Sequence, residues 1–574
     1  MALKPSESPS VLVREFDLSG VVPAVTSSTG ALVGDFNWGP VEQPILIGNE
    51  AELVSTFGSP SLDSAADETD FLSASMFLKY SGSAYVTRVV DATDGNAVAA
   101  GSSVLVKNLT SWEEQKSSLS ANKIIAKYPG TVGNSLKVSI CPVGELADSA
   151  FDNWTVDGVD MSALFDGAPG TSSSVSQYSG TGDEVHVVVY DEDGKITGAP
   201  GTILETYSYL SLASDAKSDD GSTNYVVDVL NNNSQYVWAA SLATEFTGIS
   251  GASTFSGAGT TSVVNYSLGS GTHTALDIGD YQTGFDKYND VDNIQIDFLI
   301  APGLQSNADQ KTIIDYMTGI AVSRKDCVVV ASPSRNLVVN KTDTSSVATN
   351  TVTWANTLNS SSYLILDNNY VKVYNKYTDK YAFVPASSST AGVMAATDLN
   401  AAPWFSPAGQ RRGQYFGVTS LAYNATKTQR DVLYKASINP IVNLPGQGIL
   451  LFGDKTKLGR PSAFDRINVR RLFLVIERAI KSAAQNVMFE FNDEFTRAEF
   501  VNIVEPFLRE IKGRRGITDF RVVCDETNNT SDIIDNNQFV ASVFIKPARS
   551  INYVTLNFVA VRTGVDFNEV VGLV

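Results

Sequence analysis

Ile294-Gln-Ile-Asp-Phe-Leu-Ile-Ala301 is an apolar run rich in β-branched residues, which predicts a buried strand. A helical pattern follows it from Ala308 to Ser323, and Asp326-Cys-Val-Val-Val-Ala331 predicts a second strand. A strand, a helix and a strand in succession indicate a βαβ unit with parallel strands. The fold is therefore expected to contain an α/β frame.

The frame begins nearer the N-terminus and is interrupted by a long insertion. Before the insertion, the sequence predicts strands at Ala31–Gly34, Pro44–Ile47 and Ala84–Val90, and helices at Glu50–Phe57 and Phe71–Tyr80. From residue 91 to residue 288 the composition shifts to Ser, Thr, Gly and Asn with short β-branched runs such as Val185–Tyr190. A chain that leaves a fold and returns to it indicates a separate, β-rich domain.

After about residue 400 the sequence predicts a mixed α+β region. Its expected helices are 415–436, 467–484 and 496–511, and its expected strands are 487–491, 519–524, 537–546 and 553–561. The fold class is therefore α+β multidomain, with a mixed α/β C-terminal core domain, β-rich inserted outer domains and extended terminal arms. The predicted divisions are an N-terminal arm (1–23), the frame (24–90 with 289–385), the insertion (91–288), an inner domain (386–552) and a C-terminal arm strand (553–574).

Length and composition exclude several classes of protein. A chain of 574 residues is too long for one hydrophobic core, and 43% hydrophobic residues are typical of folded protein. The first residues lack the pattern of a secretory signal, and no apolar stretch reaches 18 residues. Cys141, Cys327 and Cys524 are isolated, so we expect three buried thiols and neither disulfides nor a zinc site.

The net charge of −20 is unevenly distributed. Residues 401–574 carry 22 Lys and Arg against 17 Asp and Glu, whereas residues 1–400 carry 20 against 45. The C-terminal part could face an acidic protein surface, although an acidic outer part that faces only water would also explain the split.

The motifs that suggest catalysis have simpler explanations. Gly448 to Thr456 resembles a phosphate-binding loop, but Asp454 separates the glycine from Lys455, and a strand and turn are the better interpretation. His186 and His273 have no Asp or Cys at catalytic spacing, and Asp191 to Gly194 indicates a hairpin turn rather than a calcium loop. We therefore expect no enzyme activity, no cofactor and no metal.

Two groups of basic residues are candidates for ionic contacts between molecules. They are Arg466, Arg470 and Arg471 at the start of a predicted helix, and Lys512, Arg514 and Arg515 after the next helix. Salt bridges within the chain are the main alternative, and binding to nucleic acid is a weaker one because the chain is acidic.

The last predicted strand alternates Val554, Leu556 and Phe558 on one face with Tyr553 and Val559 on the other. Neither face is cleanly polar. Such a strand belongs to its own sheet or is added to the sheet of a neighbouring molecule.

The residues resemble, in order and spacing, the tail sheath proteins of contractile-tailed bacteriophages. The resemblance rests on Ser8–Glu15, Phe36–Pro40, Ala84–Val89, Tyr128–Asn134, Arg324–Cys327, Ser406–Gly409, Ile438–Pro440, Phe464–Leu472 and Pro547–Asn552. The resemblance is strongest from about residue 400 to the end, whereas residues 135–280 resemble the family only in general character. One departure is Pro9-Ser10, where the family commonly has Pro-Gly.

The resemblance implies a structural role in the virion tail. It implies stacked, hexameric rings that polymerise helically around a tail tube protein, with baseplate and tail terminator proteins as further partners, and assembly in the host cytoplasm. No nucleic acid and no direct membrane insertion are expected. The inner domain would face the tube, so the basic residues above are candidates for tube or intersubunit contacts.

The resemblance also implies that the terminal arms complete sheets in neighbouring subunits. The residues assigned to this strand exchange are Val11, Leu12, Val13, Phe16, Tyr553, Val554, Leu556, Phe558 and Val559. Contraction to a shorter, wider packing would drive the tube through the host envelope during genome delivery. The alternatives are the sheath of a phage-derived contractile injection system and a receptor-binding tail protein.

Overall fold

The computed structural model of the chain describes residues 28–60, 65–143 and 149–552. These residues form two compact units. The large unit contains residues 28–403 and 407–479, and the C-terminal unit contains residues 404–406 and 480–552.

The elements follow one another along the chain in four groups. Up to residue 90 they are β1 (Gly30–Gly34), β2 (Ile45–Ile47), α1 (Glu50–Phe57), α2 (Ala65–Leu78) and β3 (Ala84–Arg88). Residues 91–277 contain α3 (Leu109–Gln115), β4 (Ile124–Ala126), β5 (Leu136–Pro142), α4 (Ser149–Asp152), β6 (Thr155–Val156), β7 (Val159–Asp160), α5 (Ser173–Ser176), β8 (Glu184–Asp191), β9 (Thr202–Ser211), α6 (Val226–Asn233), β10 (Val237–Ala239) and β11 (Val264–Ser267).

The remaining elements lie after residue 277. Up to residue 451 they are α7 (Ile278–Asp286), β12 (Phe298–Ile300), α8 (Asn307–Arg324), β13 (Val328–Ala331), α9 (Arg335–Val338), α10 (Thr344–Ala355), β14 (Leu364–Leu366), β15 (Tyr370–Asn375), β16 (Lys380–Pro385), α11 (Ser387–Asn400), β17 (Ser420–Leu421), α12 (Lys427–Lys435), β18 (Ile441–Leu444) and β19 (Gly448–Leu451). The last group is α13 (Ile467–Gln485), α14 (Glu494–Gly513), β20 (Ile517–Val523), α15 (Ser531–Asp535) and β21 (Ser542–Pro547).

A six-stranded sheet in the order β14-β13-β12-β1-β3-β2 lies in the large unit. Its neighbouring strands are parallel, except that β2 pairs antiparallel with β3. β12, α8 and β13 form the predicted βαβ unit, with Phe298 opposite Val328. Because β1 lies between β3 and β12, strands from both sides of the insertion meet in one sheet.

Both faces of this sheet are buried, which explains why its strands are apolar without alternation. Phe298 and Val328 belong to the core on one face, where α2 and α11 pack. Leu299 and Val329 belong to the core on the other face, where α7 and α8 pack. The mixed α/β fold class predicted from the sequence is confirmed.

Residues 91–277 form β-rich structure, as the sequence predicts. The main sheet has the antiparallel order β11-β5-β8-β9, and β10 pairs with β4. The segments that leave and re-enter the frame run side by side, because Gly95 bridges Thr272 and Val98 bridges Gly269. These paired segments connect the insertion to the frame.

The helix predicted at 415–436 is too long at its N-terminal end. The chain forms β17 and then α12, which begins at Lys427. The N-cap residue Thr426 has extended backbone angles, and its side chain accepts a hydrogen bond from the N–H of Gln429 in a capping box. The cap therefore fixes the start of the helix at this point.

The compact units divide the chain at residues 479–480, whereas the sequence suggested a boundary at 385–386. The reason is that the region after 386 shares the core of the frame. Met394 on α11 and Leu474 on α13 lie in the same buried cluster as Leu32 and Val328. Only the end of α13 and the elements after it separate from this core.

In the C-terminal unit, α14 packs on β20. Its buried residues Phe500, Val504, Leu508 and Ile511 recur at helical spacing along one face. This agrees with the helix predicted at 496–511. The strand predicted at 487–491 is wrong: these residues form turns and a bend, and the left-handed φ of 71° at Phe489 interrupts any extended run.

Candidate functional site

The predicted strand-exchange residues lie in the terminal segments, outside the residues that the structure describes. They are Val11, Leu12, Val13 and Phe16 near the start, and Tyr553, Val554, Leu556, Phe558 and Val559 near the end. Their role in strand exchange stays a prediction. On the C-terminal side the last described residue is Asn552, shortly after the end of β21 at Pro547.

The C-terminal unit offers sheet edges to which a strand could be added. Its described residues contain one sheet, made of β20 and β21. On one face of this sheet Arg521 is opposite Phe544, whose side chain is 60% exposed. Two strands are fewer than a stable sheet usually has, and each has one edge without a described partner strand. Among the residues that the structure describes, both outer edges of this sheet thus lack a partner strand.

Arg466, the first of the predicted contact residues, is bonded within the large unit. Its Nη1 atom lies 2.9 Å from Asp454 Oδ1 and 2.7 Å from the hydroxyl oxygen of Tyr434. Asp454 is almost fully buried, so the guanidinium neutralises a carboxylate that water cannot reach. This geometry fits the alternative of a salt bridge within the chain.

Arg470 and Arg471 are also buried in the large unit. The guanidinium of Arg470 donates to Ser362 Oγ at 2.7 Å and lies over the rings of Tyr363 and Phe464. Arg471 pairs with Asp398 on α11 and donates to the carbonyl oxygen of Met394 at 3.2 Å. Both side chains bind α13 to other segments of the same chain. For Arg470 and Arg471 too, interactions within the chain therefore fit the structure better than contact with another molecule.

Arg478 extends this attachment and was not identified from the sequence. Its Nη1 lies 2.8 Å from Asp297 Oδ1, and its Nη2 donates to the carbonyl oxygens of Ile296 and Asp326. Burial raises the pKa of Asp297, and the charge of Arg478 opposes that rise. Arg471 and Arg478 are seven residues apart, which is about two helical turns, so they lie on the same face of α13. This spacing is the sequence signal that could have identified Arg478.

The second group, Lys512, Arg514 and Arg515, is exposed at the C-terminal end of α14. Lys512 Nζ lies 3.1 Å from Asp519 Oδ1, and Arg514 Nη1 lies 3.5 Å from Glu510 Oε1. Such exposed pairs contribute little to stability. The side chains are accessible to another molecule, and their contact with tube or subunit stays a prediction.

The segment that resembles a phosphate-binding loop contains the predicted strand, but no turn follows it: residues 452–456 are irregular, with an isolated bridge between Lys455 and Arg466. β19 ends at Leu451, and Asp454 is paired with Arg466. Lys455 Nζ donates to the carbonyl oxygen of Tyr434 at 2.7 Å and lies over the ring of that residue. The lysine is therefore engaged within the fold, beside a buried carboxylate that would repel phosphate.

The two histidines differ in their surroundings. His186 is buried, and its ring contacts the carbonyl oxygen of Gly167 and the backbone N–H of Tyr209. His273, by contrast, has two aspartate partners that sequence spacing did not reveal, Asp35 at 3.2 Å and Asp94 at 3.7 Å. The expectation that His273 lacks an aspartate partner is thus corrected. Asp35 lies 238 positions away in the chain, so no local motif could show it.

Asp191 closes its own hairpin. Its Oδ2 atom accepts hydrogen bonds from the backbone N–H groups of Ile196 and Thr197, at 2.9 and 2.8 Å. β8 and β9 pair antiparallel around a loop of residues 192–201, in which Gly194 has a φ of 75°, a left-handed conformation that glycine adopts readily. The hairpin interpretation is confirmed.

Within residues 28–60, 65–143 and 149–552, no group of His, Cys, Asp and Glu could hold a metal ion, and no helix has the length and hydrophobicity that a membrane span needs. Cys141 and Cys327 are buried, as predicted, whereas Cys524 is only half-buried.

Two family models match the chain. The phage tail sheath protein central domain matches residues 277–457, and the phage tail sheath C-terminal domain matches residues 460–560. The matched regions together include β12 to β14 of the frame and the elements of the C-terminal unit from α14 to β21.

Individual proteins match over nearly the whole chain. The chain is 33% identical to the tail sheath protein of Salmonella phage ViI, over 98% of each chain. It is 31% identical to the tail sheath protein of Enterobacteria phage T4, over 99% of each chain. The crystal structure of a sheath tail protein from Listeria innocua shares the fold, with a TM-score of 0.53 at 13% identity over 92% of this chain and 96% of that one. The chain belongs to the phage tail sheath protein family.

Proposed function

We propose that the chain polymerises as the sheath of a contractile phage tail and contracts to a shorter, wider packing that drives the tail tube through the host envelope. The observation that carries this proposal is the 33% identity to a phage tail sheath protein over 98% of both chains. The relatives from Salmonella phage ViI and Enterobacteria phage T4 are proteins of phages, which favours a phage tail over a phage-derived injection device.

The work is mechanical and needs no catalytic site. The extended sheath is a metastable array, and a trigger at the baseplate lets successive rings relax into a packing of lower free energy. The engaged Lys455 and the salt-bridged Asp454 support a mechanism without nucleotide binding at this segment. Energy is therefore stored during assembly and released by repacking.

Strand exchange connects the subunits in this proposal. The edges of β20 and β21 receive the terminal arms of neighbouring copies. An added strand of five residues forms about five backbone hydrogen bonds at a net ~0.5 to 1.5 kcal/mol each, and ordering its backbone costs ~1 to 2 kcal/mol per residue. These terms nearly cancel. Burial of Val554, Leu556 and Phe558, at ~1.5 to 3 kcal/mol each, then supplies the net stabilisation.

The partners follow from the position of the chain in the tail. We propose hexameric rings stacked around the tube protein, closed at the ends by baseplate and tail terminator proteins, and assembled in the host cytoplasm. The charge difference between residues 1–400 and 401–574 supports an inner region that faces an acidic surface.

Negative-stain electron microscopy of the purified chain over a concentration series tests the proposal. We expect hollow, striated tubes of uniform width above a threshold concentration, without added nucleotide. Monomers or compact trimers at every concentration would contradict a sheath and favour a receptor-binding tail protein.

A further inference from the structure

The C-terminal unit carries charges of opposite sign at the two ends of α14. The acidic end consists of the exposed residues Glu490, Asp493, Glu494 and Glu499. The basic end consists of the exposed residues Lys512, Arg514 and Arg515. A helix of 20 residues spans about 30 Å, so the two ends are too far apart to pair with each other.

Loops beside the helix add to this separation of charge. Asn492 donates to the carbonyl oxygen of Gln538 at 2.7 Å, and the rings of Phe500 and Phe539 are 5.4 Å apart. These contacts hold the segment between β20 and β21 against the start of α14. Its exposed carboxylates are Asp525, Glu526, Asp532 and Asp535. At the other end, Lys546 lies opposite Asp519 next to the basic end.

The acidic end also bears a cluster of exposed aromatic side chains, here called the phenylalanine loop (residues 488–495). Phe489 is 100% exposed, Phe491 84% and Phe495 76%. Phe489 also has a φ of 71°, which is strained for a bulky residue. Exposed aromatic surface and backbone strain both cost free energy, and they persist together where another molecule binds.

We propose that the acidic end and phenylalanine loop of one C-terminal unit dock on the basic end of the next copy of this chain. The two surfaces have complementary charge and belong to the same chain, and the guanidinium group of Arg515 can stack on phenylalanine rings. A contact between two different surfaces of identical molecules repeats head to tail and generates rings or open helices. The inference rests on the proposed function, because a sheath is built from such repeats.

Charge reversal tests the contact. The head variant carries Glu490→Lys and Glu494→Lys, and the tail variant carries Lys512→Glu and Arg515→Glu. Asp493 and Arg514 are kept, because the first caps α14 and the second lies 5.1 Å from the ring of Trp404. The control variant, Glu505→Lys with Arg509→Glu, reverses an ion pair in the middle of the same helix. Melting temperatures and circular dichroism check that every variant folds.

The readout is the concentration at which polymers appear in light scattering and electron microscopy. We expect at least a tenfold rise for the head variant and for the tail variant alone, and no change for the control. An equimolar mixture of head and tail variants should polymerise near the wild-type concentration, since each reversed surface then meets a complementary one. The chain with all four substitutions should polymerise alone for the same reason.

Other outcomes would overturn the proposal. Head and tail variants that polymerise like wild type would exclude the head-to-tail contact while leaving the sheath function intact. A tail variant that polymerises normally but no longer binds purified tail tube would assign the basic end to the tube. If the mixture and the fourfold variant both fail although wild type polymerises, the two ends do not meet. A wild-type chain that remains monomeric would overturn both this contact and the proposed function.

Discussion

The Nε2 atom of His273 lies 3.2 Å from the Oδ2 atom of Asp35, so a residue from the end of the insertion is paired with the residue that follows β1 of the frame. On its other side, Nδ1 lies 3.7 Å from Asp94, which comes just after β3. Both aspartates are almost fully buried. A protonated His273 therefore neutralises charge where the insertion joins the frame.

The stability of the large unit should fall as pH rises above neutrality. The hydrogen bond to Asp35 and the carboxylate of Asp94, 3.7 Å from the ring, raise the pKa of His273 to about 10, from about 6.5 in the unfolded chain. Between these two pH values the folded state holds a proton on His273 that the unfolded chain has lost. The protonated ring therefore contributes fully to the free energy of unfolding below pH 6.5, and this contribution is lost as the pH rises through 10. We expect the free energy of unfolding to fall by about 1 kcal/mol between pH 7.5 and 9.5, because the partly exposed ring is screened by solvent.

Urea denaturation at several pH values measures this slope. Asp70 lies nearby, and burial raises its pKa to about 7. The pH series starts at 7.5 in order to avoid most of the titration of Asp70. In His273→Gln the slope should flatten, whereas His186→Gln should keep it, because His186 has no aspartate beside its ring among its described contacts. An equal slope in the wild type and in His273→Gln would contradict the assignment. The other charged or titratable groups that interact with this cluster include Arg88, Asp67, Tyr128, Asp280 and Tyr281.

Arg471→Met should destabilise the large unit by about 3 kcal/mol, because it leaves Asp398 buried without its cation. Arg509→Met is the matched control. Arg509 pairs with Glu505 on the exposed side of α14, and the loss of such a pair costs no more than about 0.5 kcal/mol. Chemical denaturation monitored by tryptophan fluorescence compares the two variants. Similar small effects of both would show that α13 does not depend on this ion pair.

Much of the frame could be predicted from local sequence. The helix predicted at Glu50–Phe57 has those bounds in the structure, because Asn49 caps it and Gly58 ends it. The βαβ unit was also predictable, since strands buried on both faces have a continuous apolar sequence. By contrast, Val487, Phe489 and Phe491 have the alternation of a strand but meet no described strand with which to pair. Alternation alone does not form a sheet.

The candidate contacts were harder to predict, because their partners are distant in the chain. For Arg466, Arg470 and Arg471 the sequence suggests contacts with the tube or another subunit, with salt bridges inside the chain as the alternative, and their partners Asp454, Ser362 and Asp398 follow only from the tertiary fold. The same holds for His273 and Asp35. Lys512, Arg514 and Arg515 are exposed at the C-terminal end of α14, and their predicted contact with the tube or another subunit stays a prediction.

Added ATP and magnesium should not change the melting temperature of the chain or the concentration at which it polymerises. The reason is that Lys455 donates to the carbonyl oxygen of Tyr434 and the neighbouring Asp454 is already paired with Arg466. Differential scanning fluorimetry with and without 5 mM nucleotide measures the first quantity, and light scattering the second. A rise of several degrees that disappears in Lys455→Ala would show that the segment after β19 binds nucleotide after all.

Phe558→Asp should leave the monomer folded and prevent polymers of wild-type length. Under strand exchange, this side chain is buried against the sheet of a neighbouring copy, where an unpaired carboxylate costs several kcal/mol. Asn557→Asp introduces the same charge at the adjacent position, on the opposite face of the predicted strand, and should have a much smaller effect. Electron microscopy gives the polymer length, and circular dichroism checks the fold. Polymers of normal length in Phe558→Asp, or equal losses in both variants, would contradict the proposed burial of this strand face.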